Sequence, residues 1–214
     1  LDVSQSLEAG TIRLISTHGE ESVSSTALLE ASDDLEVFGR GVVTLTEANV
    51  GGDMTVAAGF GVRLHEGSVA VGGDAHLYGE DLSLLGTALV AGRDLVINAS
   101  GGGESTASVL MYSDVRAGRD LVLATTASNV ASYNAGSLYA ERDVLGATRG
   151  IEVPQLAVQV YNFGAPTPGM QLINRGTISA GRNIDLFDNR NEGTIDAGQD
   201  LILRPGQFTP DGNS

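Results

Sequence analysis

The C-terminal part of the chain contains one phrase twice, and this repeat limits the possible folds more than any other feature. Asn174-Arg-Gly-Thr-Ile-Ser-Ala-Gly-Arg-Asn-Ile-Asp-Leu186 is followed, 17 residues later, by Asn191-Glu-Gly-Thr-Ile-Asp-Ala-Gly-Gln-Asp-Leu-Ile-Leu203. A period of this length is too short for a domain but fits one coil of a solenoid, in which each repeat buries its apolar side chains against its neighbours. The phrase therefore predicts an array of stacked coils.

The core of the phrase, aliphatic-x-Ala-Gly-x-Asp-aliphatic-x-aliphatic, recurs along the chain in forms such as Leu89–Ile97 and Val115–Leu123. The Asp or Asn of each copy is its marker residue. The markers are Asp34, Asp53, Asp74, Asp94, Asp120, Asp143, Asn183 and Asp200. Successive markers lie 17 to 26 residues apart, except for one step of 40 between Asp143 and Asn183. That step predicts a degenerate coil hidden inside it. With a shortened copy of the phrase at Leu7–Leu14, about ten coils of roughly 20 residues are expected.

Short alternations of apolar and polar residues divide each period into strands. They occur after the marker (Leu95-Val-Ile97), at mid-repeat (Val62-Arg-Leu64) and before the Ala-Gly pair (Thr177-Ile-Ser-Ala180). No stretch as long as a typical helix has apolar residues spaced every three to four positions, as an amphipathic helix would. Three short strands per coil predict an all-β parallel β-helix, in which the inward-facing aliphatic side chains form one continuous core.

The whole chain, 1–214, is expected to form a single β-helical segment of a longer repeat array. The stretch 147–172 lacks the phrase and is predicted to be irregular and loop-rich, as a candidate insertion, and the polar tail 206–214 is predicted to be frayed. The 29 glycines fit corners that need a positive φ or a close approach of two backbones.

The charge balance disfavours two classes of partner. All 12 basic residues are Arg, against 27 acidic residues, so the formal net charge is −15. Such a surface repels nucleic acid and anionic membranes. The absence of Cys excludes disulfides and thiolate metal sites, and no apolar run is long enough to span a bilayer. We therefore expect neither nucleic-acid binding nor membrane insertion.

The marker residues suggest calcium at first, because Gly51-Gly-Asp53 and Gly72-Gly-Asp74 are similar to part of the calcium-binding nonapeptide roll. That motif requires tandem copies every nine residues, and the period here is about twenty. The favoured interpretation is structural: each marker caps its own corner by accepting backbone N–H bonds. No metal or cofactor is expected.

An arginine precedes the marker in four coils, at Arg93, Arg119, Arg142 and Arg182. A row of arginines along one edge would bind sulfated or sialylated glycans. The alternative, which the negative net charge favours, is that each arginine pairs with neighbouring acidic residues on a surface of mixed sign.

Catalytic groups are sparse. The acidic pairs Asp33-Asp34 and Glu80-Asp81 are candidates for a polysaccharide-cleaving site, but nothing in the spacing requires a second carboxylate to face either pair. The three histidines, His18, His65 and His76, share no metal-ligand spacing and are expected to be ordinary surface residues. No enzymatic activity is expected.

The irregular stretch contains the one candidate partner-binding loop. Tyr161, Asn162 and Phe163 begin a segment rich in Pro and Gly, and loops that project from a solenoid often bind partners. Tyr161 and Phe163 would supply apolar contacts and Asn162 directional hydrogen bonds. The alternative, that the two aromatic residues fold back over the side of the rod, is equally compatible with the sequence.

The complete phrase, Asn-x-Gly-[Thr/Ser]-Ile-x-Ala-Gly-x-Asp-Leu-x-Leu, resembles the haemagglutinin repeats of the filamentous haemagglutinin family. The best copies are Leu89–Ile97, Val115–Leu123, Thr177–Leu186 and Thr194–Leu203, and weaker copies extend over nearly the whole chain. The resemblance implies a right-handed parallel β-helix. It also implies a secreted protein on the surface of a Gram-negative bacterium, exported by an outer-membrane partner (two-partner secretion).

The resemblance further implies a virulence-type adhesin that binds a receptor or glycan on host or neighbouring cells. The alternative within the family is the stalk or receptor-binding part of a contact-dependent growth-inhibition effector. A polysaccharide-cleaving β-helix enzyme is the alternative from another class. The chain departs from the family in two respects: the N-terminal secretion domain is not represented, and no toxin-like end follows Asp200.

Overall fold

A computed structural model of the chain describes residues 1–17, 21–99, 108–125, 130–146, 170–187 and 189–204. These residues form 23 β-strands in two parallel sheets and contain no helix. The predicted all-β parallel β-helix is therefore confirmed.

The two sheets wrap around one interior. The first sheet has 14 strands: β1 (Asp2–Val3), β2 (Leu7–Ala9), β4 (Val23–Ala31), β6 (Val42–Val50), β8 (Gly61–His65), β9 (Ser68–Val71), β11 (Asp81–Ala91), β13 (Ser108–Ala117), β15 (Val130–Asn134), β16 (Ser137–Ala140), β18 (Met170–Asn174), β19 (Thr177–Ala180), β21 (Asn189–Asn191) and β22 (Thr194–Ala197). The second sheet has nine: β3 (Ile12–Ser16), β5 (Leu35–Gly39), β7 (Met54–Ala58), β10 (Ala75–Gly79), β12 (Leu95–Ala99), β14 (Leu121–Thr125), β17 (Asp143–Gly146), β20 (Asn183–Phe187) and β23 (Leu201–Arg204).

Each coil contributes three strand segments, as the alternations predict. Two segments belong to the first sheet and one to the second. In some coils the first two segments merge into one long strand, such as β11, whose register with β13 shifts between Leu85 and Ala88. That shift marks the bend between the two segments, so each coil keeps three faces even where the strand is continuous.

Alternation along the strands separates the interior from the surface. In β6, Val43, Leu45, Ala48 and Val50 are buried, whereas the residues between them are partly or fully exposed. Equivalent positions in the neighbouring coils stack on these side chains and form one continuous apolar cluster along the rod. This burial is the main stabilising contribution to the fold.

The expectation of a hidden coil between Asp143 and Asn183 is wrong. β17 pairs directly with β20, with Asp143 opposite Asn183, and β16 pairs directly with β19, with Ser137 opposite Thr177. The 40-residue step is therefore one coil with added chain, and the second sheet has nine strands rather than about ten. The marker spacing gives the length of the added chain, but it does not show whether that chain adds a strand between β17 and β20. β18 begins at Met170, so the last three residues of the predicted stretch 147–172 belong to a strand, and 147–169 lies outside the described residues.

The glycine of the Ala-Gly pair is explained by close approach of two backbones. A Cβ atom on Gly92 would overlap the carbonyl oxygen of Gly72 in the preceding coil, and one on Gly118 would overlap that of Gly92. Of the described glycines, Gly86 alone has a positive φ. The alternative of positive φ at these corners therefore does not apply.

Candidate functional site

The marker residues form a continuous ladder of hydrogen bonds along one corner of the rod. Asp34 accepts the backbone N–H of Asp53 at 2.9 Å, and Asp53 accepts that of Asp74 at 2.8 Å. The same bond continues through the other markers, where the backbone N–H of each marker donates to the side-chain oxygen of the one before it. The donor and acceptor pairs are Asp94 and Asp74, Asp120 and Asp94, Asp143 and Asp120, Asn183 and Asp143, and Asp200 and Asn183. Seven of the eight markers, from Asp34 to Asn183, thus accept a backbone N–H of the next coil. The prediction placed each cap within the marker's own corner, whereas these bonds join adjacent coils.

The arginines beside the markers bind carboxylates of preceding coils. Arg93 lies 2.7 Å from Asp53 and 3.0 Å from Asp74. Arg119 binds Asp94 through both Nε and Nη2, and Arg142 binds Asp120 in the same way. Arg182 approaches Asp143 more loosely, at 3.7 Å.

Arg119 has a clear electrostatic effect on its partner. Its hydrogen bonds hold the pKa of Asp94 below the ordinary value, although partial burial opposes this shift. Because the guanidinium groups of Arg93, Arg119 and Arg142 already bind carboxylates, the pairing interpretation is favoured over a glycan-binding row at this corner.

A second polar ladder, which the sequence analysis missed, runs at the bend of the first sheet. The side chain of Asn134 donates to Asn174 Oδ1 at 2.8 Å, and Asn174 donates to Asn191 Oδ1 at 2.7 Å. Asn134 and Asn174 are fully buried, and Asn174 also donates to the carbonyl of Thr194. The signal was present in the sequence, because two of these residues open the repeated Asn-x-Gly phrase.

The candidate catalytic carboxylates are not brought together. Asp33 and Asp34 precede β5, whereas Glu80 and Asp81 follow β10, so the two pairs lie beyond opposite ends of the strands of the second sheet. Asp34 already caps Asp53. The arrangement offers no facing pair of carboxylates from these four residues.

The histidines occupy separate positions. His76 Nδ1 lies 3.0 Å from Tyr78 Oη, and burial lowers the pKa of His76 against the opposing effect of nearby aspartates. His65 Nε2 lies 3.3 Å from Ser83 Oγ. His18 falls outside the described residues. In the part of the chain that the structure describes, no group of three or more His, Asp or Glu side chains could hold a metal ion.

Three tyrosines and two arginines lie on the outer side of the first sheet, in or directly after the two strand segments that meet at its bend. Tyr112 and Tyr133 have ring centroids 5.5 Å apart. Arg175 lies over the Tyr133 ring with its Cζ atom 5.3 Å from the centroid, and its Nη1 donates to Tyr133 Oη at 2.8 Å. On the adjacent segment, Arg116 is the register partner of Tyr139. These five residues are called the tyrosine face below.

The predicted partner-binding loop, Tyr161, Asn162 and Phe163, lies outside the described residues and stays a prediction, as does the tail 206–214. None of the described residues forms a helix that could cross a membrane.

Comparison of the chain with protein-family models, with curated proteins and with solved structures found no match. The resemblance to haemagglutinin repeats therefore remains an interpretation of the repeated phrase.

Proposed function

We propose that this chain is a non-catalytic segment of a secreted bacterial surface filament, in which it acts as a rigid stalk and an adhesin. The observation that carries the proposal is the unbroken pairing of the coils. In the second sheet every strand from β3 to β23 lies in one parallel ladder, and the marker ladder follows the same axis from Asp34 to Asp200.

Rigidity follows from this arrangement. Each interior coil bonds to both neighbours through three strand segments, so bending the rod requires that backbone hydrogen bonds and core contacts break together. Because the polar groups at the corner bind one another along the axis, they stabilise the stack. Few of these side chains are then left to bind a ligand at that corner. A stiff rod of this kind can hold a binding surface away from a cell.

The secreted location and the export route through an outer-membrane transporter are supported by the repeat phrase alone. The proposed partner is a receptor or glycan on a host or neighbouring cell. The alternative function, a stalk or receptor-binding segment of a growth-inhibition effector, would require a rigid rod of the same kind. A polysaccharide-cleaving enzyme has less support, because the two acidic pairs lie at different corners, beyond opposite ends of the strands of the second sheet.

Adhesion is tested with beads that carry the purified chain. We expect the beads to bind epithelial or bacterial cells in a saturable manner, and soluble chain to compete. A Tyr161→Ala/Phe163→Ala variant should lose this binding at an unchanged melting temperature if the loop is the site. Absence of any cell binding by the wild-type beads would contradict the adhesive function.

The enzymatic alternative has its own assay. Incubation with acidic and neutral polysaccharides should release no new reducing ends. Release that disappears in an Asp33→Asn/Asp34→Asn or a Glu80→Gln/Asp81→Asn variant would overturn the non-catalytic proposal.

A further inference from the structure

We propose that the tyrosine face binds a neutral saccharide chain. This inference rests on the adhesive function proposed above and gives that function a site and a ligand class. Tyr112 is 48% exposed and Tyr139 is 37% exposed, whereas outward-facing positions of the same sheet in other coils carry residues such as Asn49 and Ala70. The aromatic surface is therefore local and uncovered in the described structure.

The geometry of this face suits a chain-like ligand. Tyr112, Tyr133 and Arg175 come from three successive coils and contact one another in order along the rod. Adjacent coils are about 4.8 Å apart, as neighbouring strands of a sheet are. A linear ligand lying along the rod axis can therefore contact several of these groups at once.

The chemistry of this face fits a sugar. A pyranose ring has an apolar C–H face, which packs on an aromatic ring, and a rim of hydroxyl groups, which both donate and accept hydrogen bonds. Asp114 and Arg116 are exposed on the same strand as Tyr112 and supply an acceptor and a donor. Among the described residues, Arg116 has no ion-pair partner, so its guanidinium is available to a ligand.

The charge around the face favours a neutral saccharide. The chain carries a formal net charge of −15, which repels anionic polysaccharides. Asp114 adds a negative charge beside the aromatic rings, and Glu192 neutralises Arg175 at 2.7 Å. An anionic ligand would meet one unpaired cation, Arg116, next to a carboxylate.

Part of the face is held in place before any ligand arrives. Arg175 is fixed by Glu192 on one side and by the hydroxyl of Tyr133 on the other. Tyr133 in turn contacts Tyr112. Because these side chains are already ordered, a ligand that stacks on them loses less conformational entropy on binding.

The test is native gel electrophoresis of the full chain through gels that contain a soluble polysaccharide. The neutral probes are hydroxyethylcellulose, dextran, yeast mannan and a soluble chitin derivative, and the anionic probe is hyaluronate. We expect at least one neutral polysaccharide to retard the wild-type chain. A Tyr112→Ala/Tyr139→Ala variant should bind it roughly tenfold more weakly.

The control is Phe60→Ala, because Phe60 is an aromatic residue of similar exposure, 45%, at a corner away from this face. It should be retarded like the wild type, and circular dichroism should show the same melting for all three proteins. No retardation by any neutral probe, equal retardation of the double variant, or retardation by hyaluronate alone would overturn the inference. Cell adhesion that persists unchanged in the double variant would overturn this site but leave the adhesive function standing.

Discussion

The carboxylate of Asp53 accepts the backbone N–H of Asp74 at 2.8 Å, although the two residues lie 21 positions apart in the chain. The bond joins equivalent positions of adjacent coils. It satisfies an N–H at the corner, where the backbone leaves the sheet ladder. Because Asp74 does the same for Asp94 at 2.9 Å, the role of each marker is to fasten the following coil.

Replacing Asp74 tests the marker ladder. Asp74→Ala removes the acceptor of the Asp94 N–H and one of the two carboxylates that Arg93 binds. We expect the free energy of unfolding, measured by urea titration, to fall by about 1–2 kcal/mol. Asp74→Asn keeps an acceptor oxygen, as Asn183 does for Asp200, and should lose less. Equal losses in the two variants would show that the charge alone matters.

The Asp94–Arg119 pair predicts a dependence of stability on pH. The pKa of Asp94 is lowered from 3.8, chiefly by hydrogen bonding to Arg119, so the folded state binds fewer protons than the unfolded state in that range. The stability that the pair contributes is present above pH 3.8 and is lost as the pH falls through the pKa of the folded state. Urea midpoints measured from about pH 5 down to pH 2 should therefore fall more steeply in the wild type than in Asp94→Asn. Parallel curves would contradict this role of Asp94.

The asparagine ladder predicts that removal of a buried amide lowers the stability of the fold. Asn174→Ala deprives Asn134 and Asn191 of their amide partner and leaves the Thr194 carbonyl without its side-chain donor. We expect a loss of about 1–3 kcal/mol in the free energy of unfolding. Asn191→Ala is the matched control, since Asn191 is exposed and its loss should cost less. A neutral Asn174→Ala substitution would show that the ladder does not stabilise the stack.

Two adjacent leucines test which side of the strand faces the core. Leu84 is fully buried in the interior cluster, whereas Leu85 points outward and is only partly buried. Leu84→Ala should lower the free energy of unfolding by about 2–5 kcal/mol. Leu85→Ala should cost less than about 1 kcal/mol, as surface substitutions usually do. A reversed order, measured by thermal melting, would contradict the described register.

The sequence predicted those features that repeat within a single coil. The alternation in Leu95-Val-Ile97 identified the strands and their inward residues, because side chains on a strand alternate between its two faces. The marker aspartates identified a corner with backbone caps. Both inferences need only local patterns. The structure confirms the strands, whereas the backbone N–H groups that the markers accept belong to the following coil.

Relations between coils were harder to predict, because they depend on register. The local pattern predicts a cap within the corner of Asp34, but the N–H that Asp34 accepts is that of Asp53 in the next coil. The tyrosine face was missed for the same reason. Tyr112 and Tyr133 belong to adjacent coils and lie almost a full coil apart in the chain, so their contact follows only when the coils are aligned.

The most direct test of the central claim is a distance measured along the rod by pulsed electron paramagnetic resonance. The chain has no Cys, so Glu30→Cys and Asp196→Cys can carry the only spin labels. These positions belong to one outward-facing row of register partners: Glu30, Asn49, Ala70, Val90, Arg116, Tyr139, Ser179 and Asp196.

Seven strand-to-strand steps of about 4.8 Å predict a narrow distribution near 34 Å. A second pair, Glu30→Cys and Tyr139→Cys, spans five steps and should give a distance near 24 Å. Two narrow maxima that differ by about two steps would support the stacked coils and the single coil between Asp143 and Asn183. A broad distribution, or distances that do not scale with the number of steps, would contradict the β-helical rod.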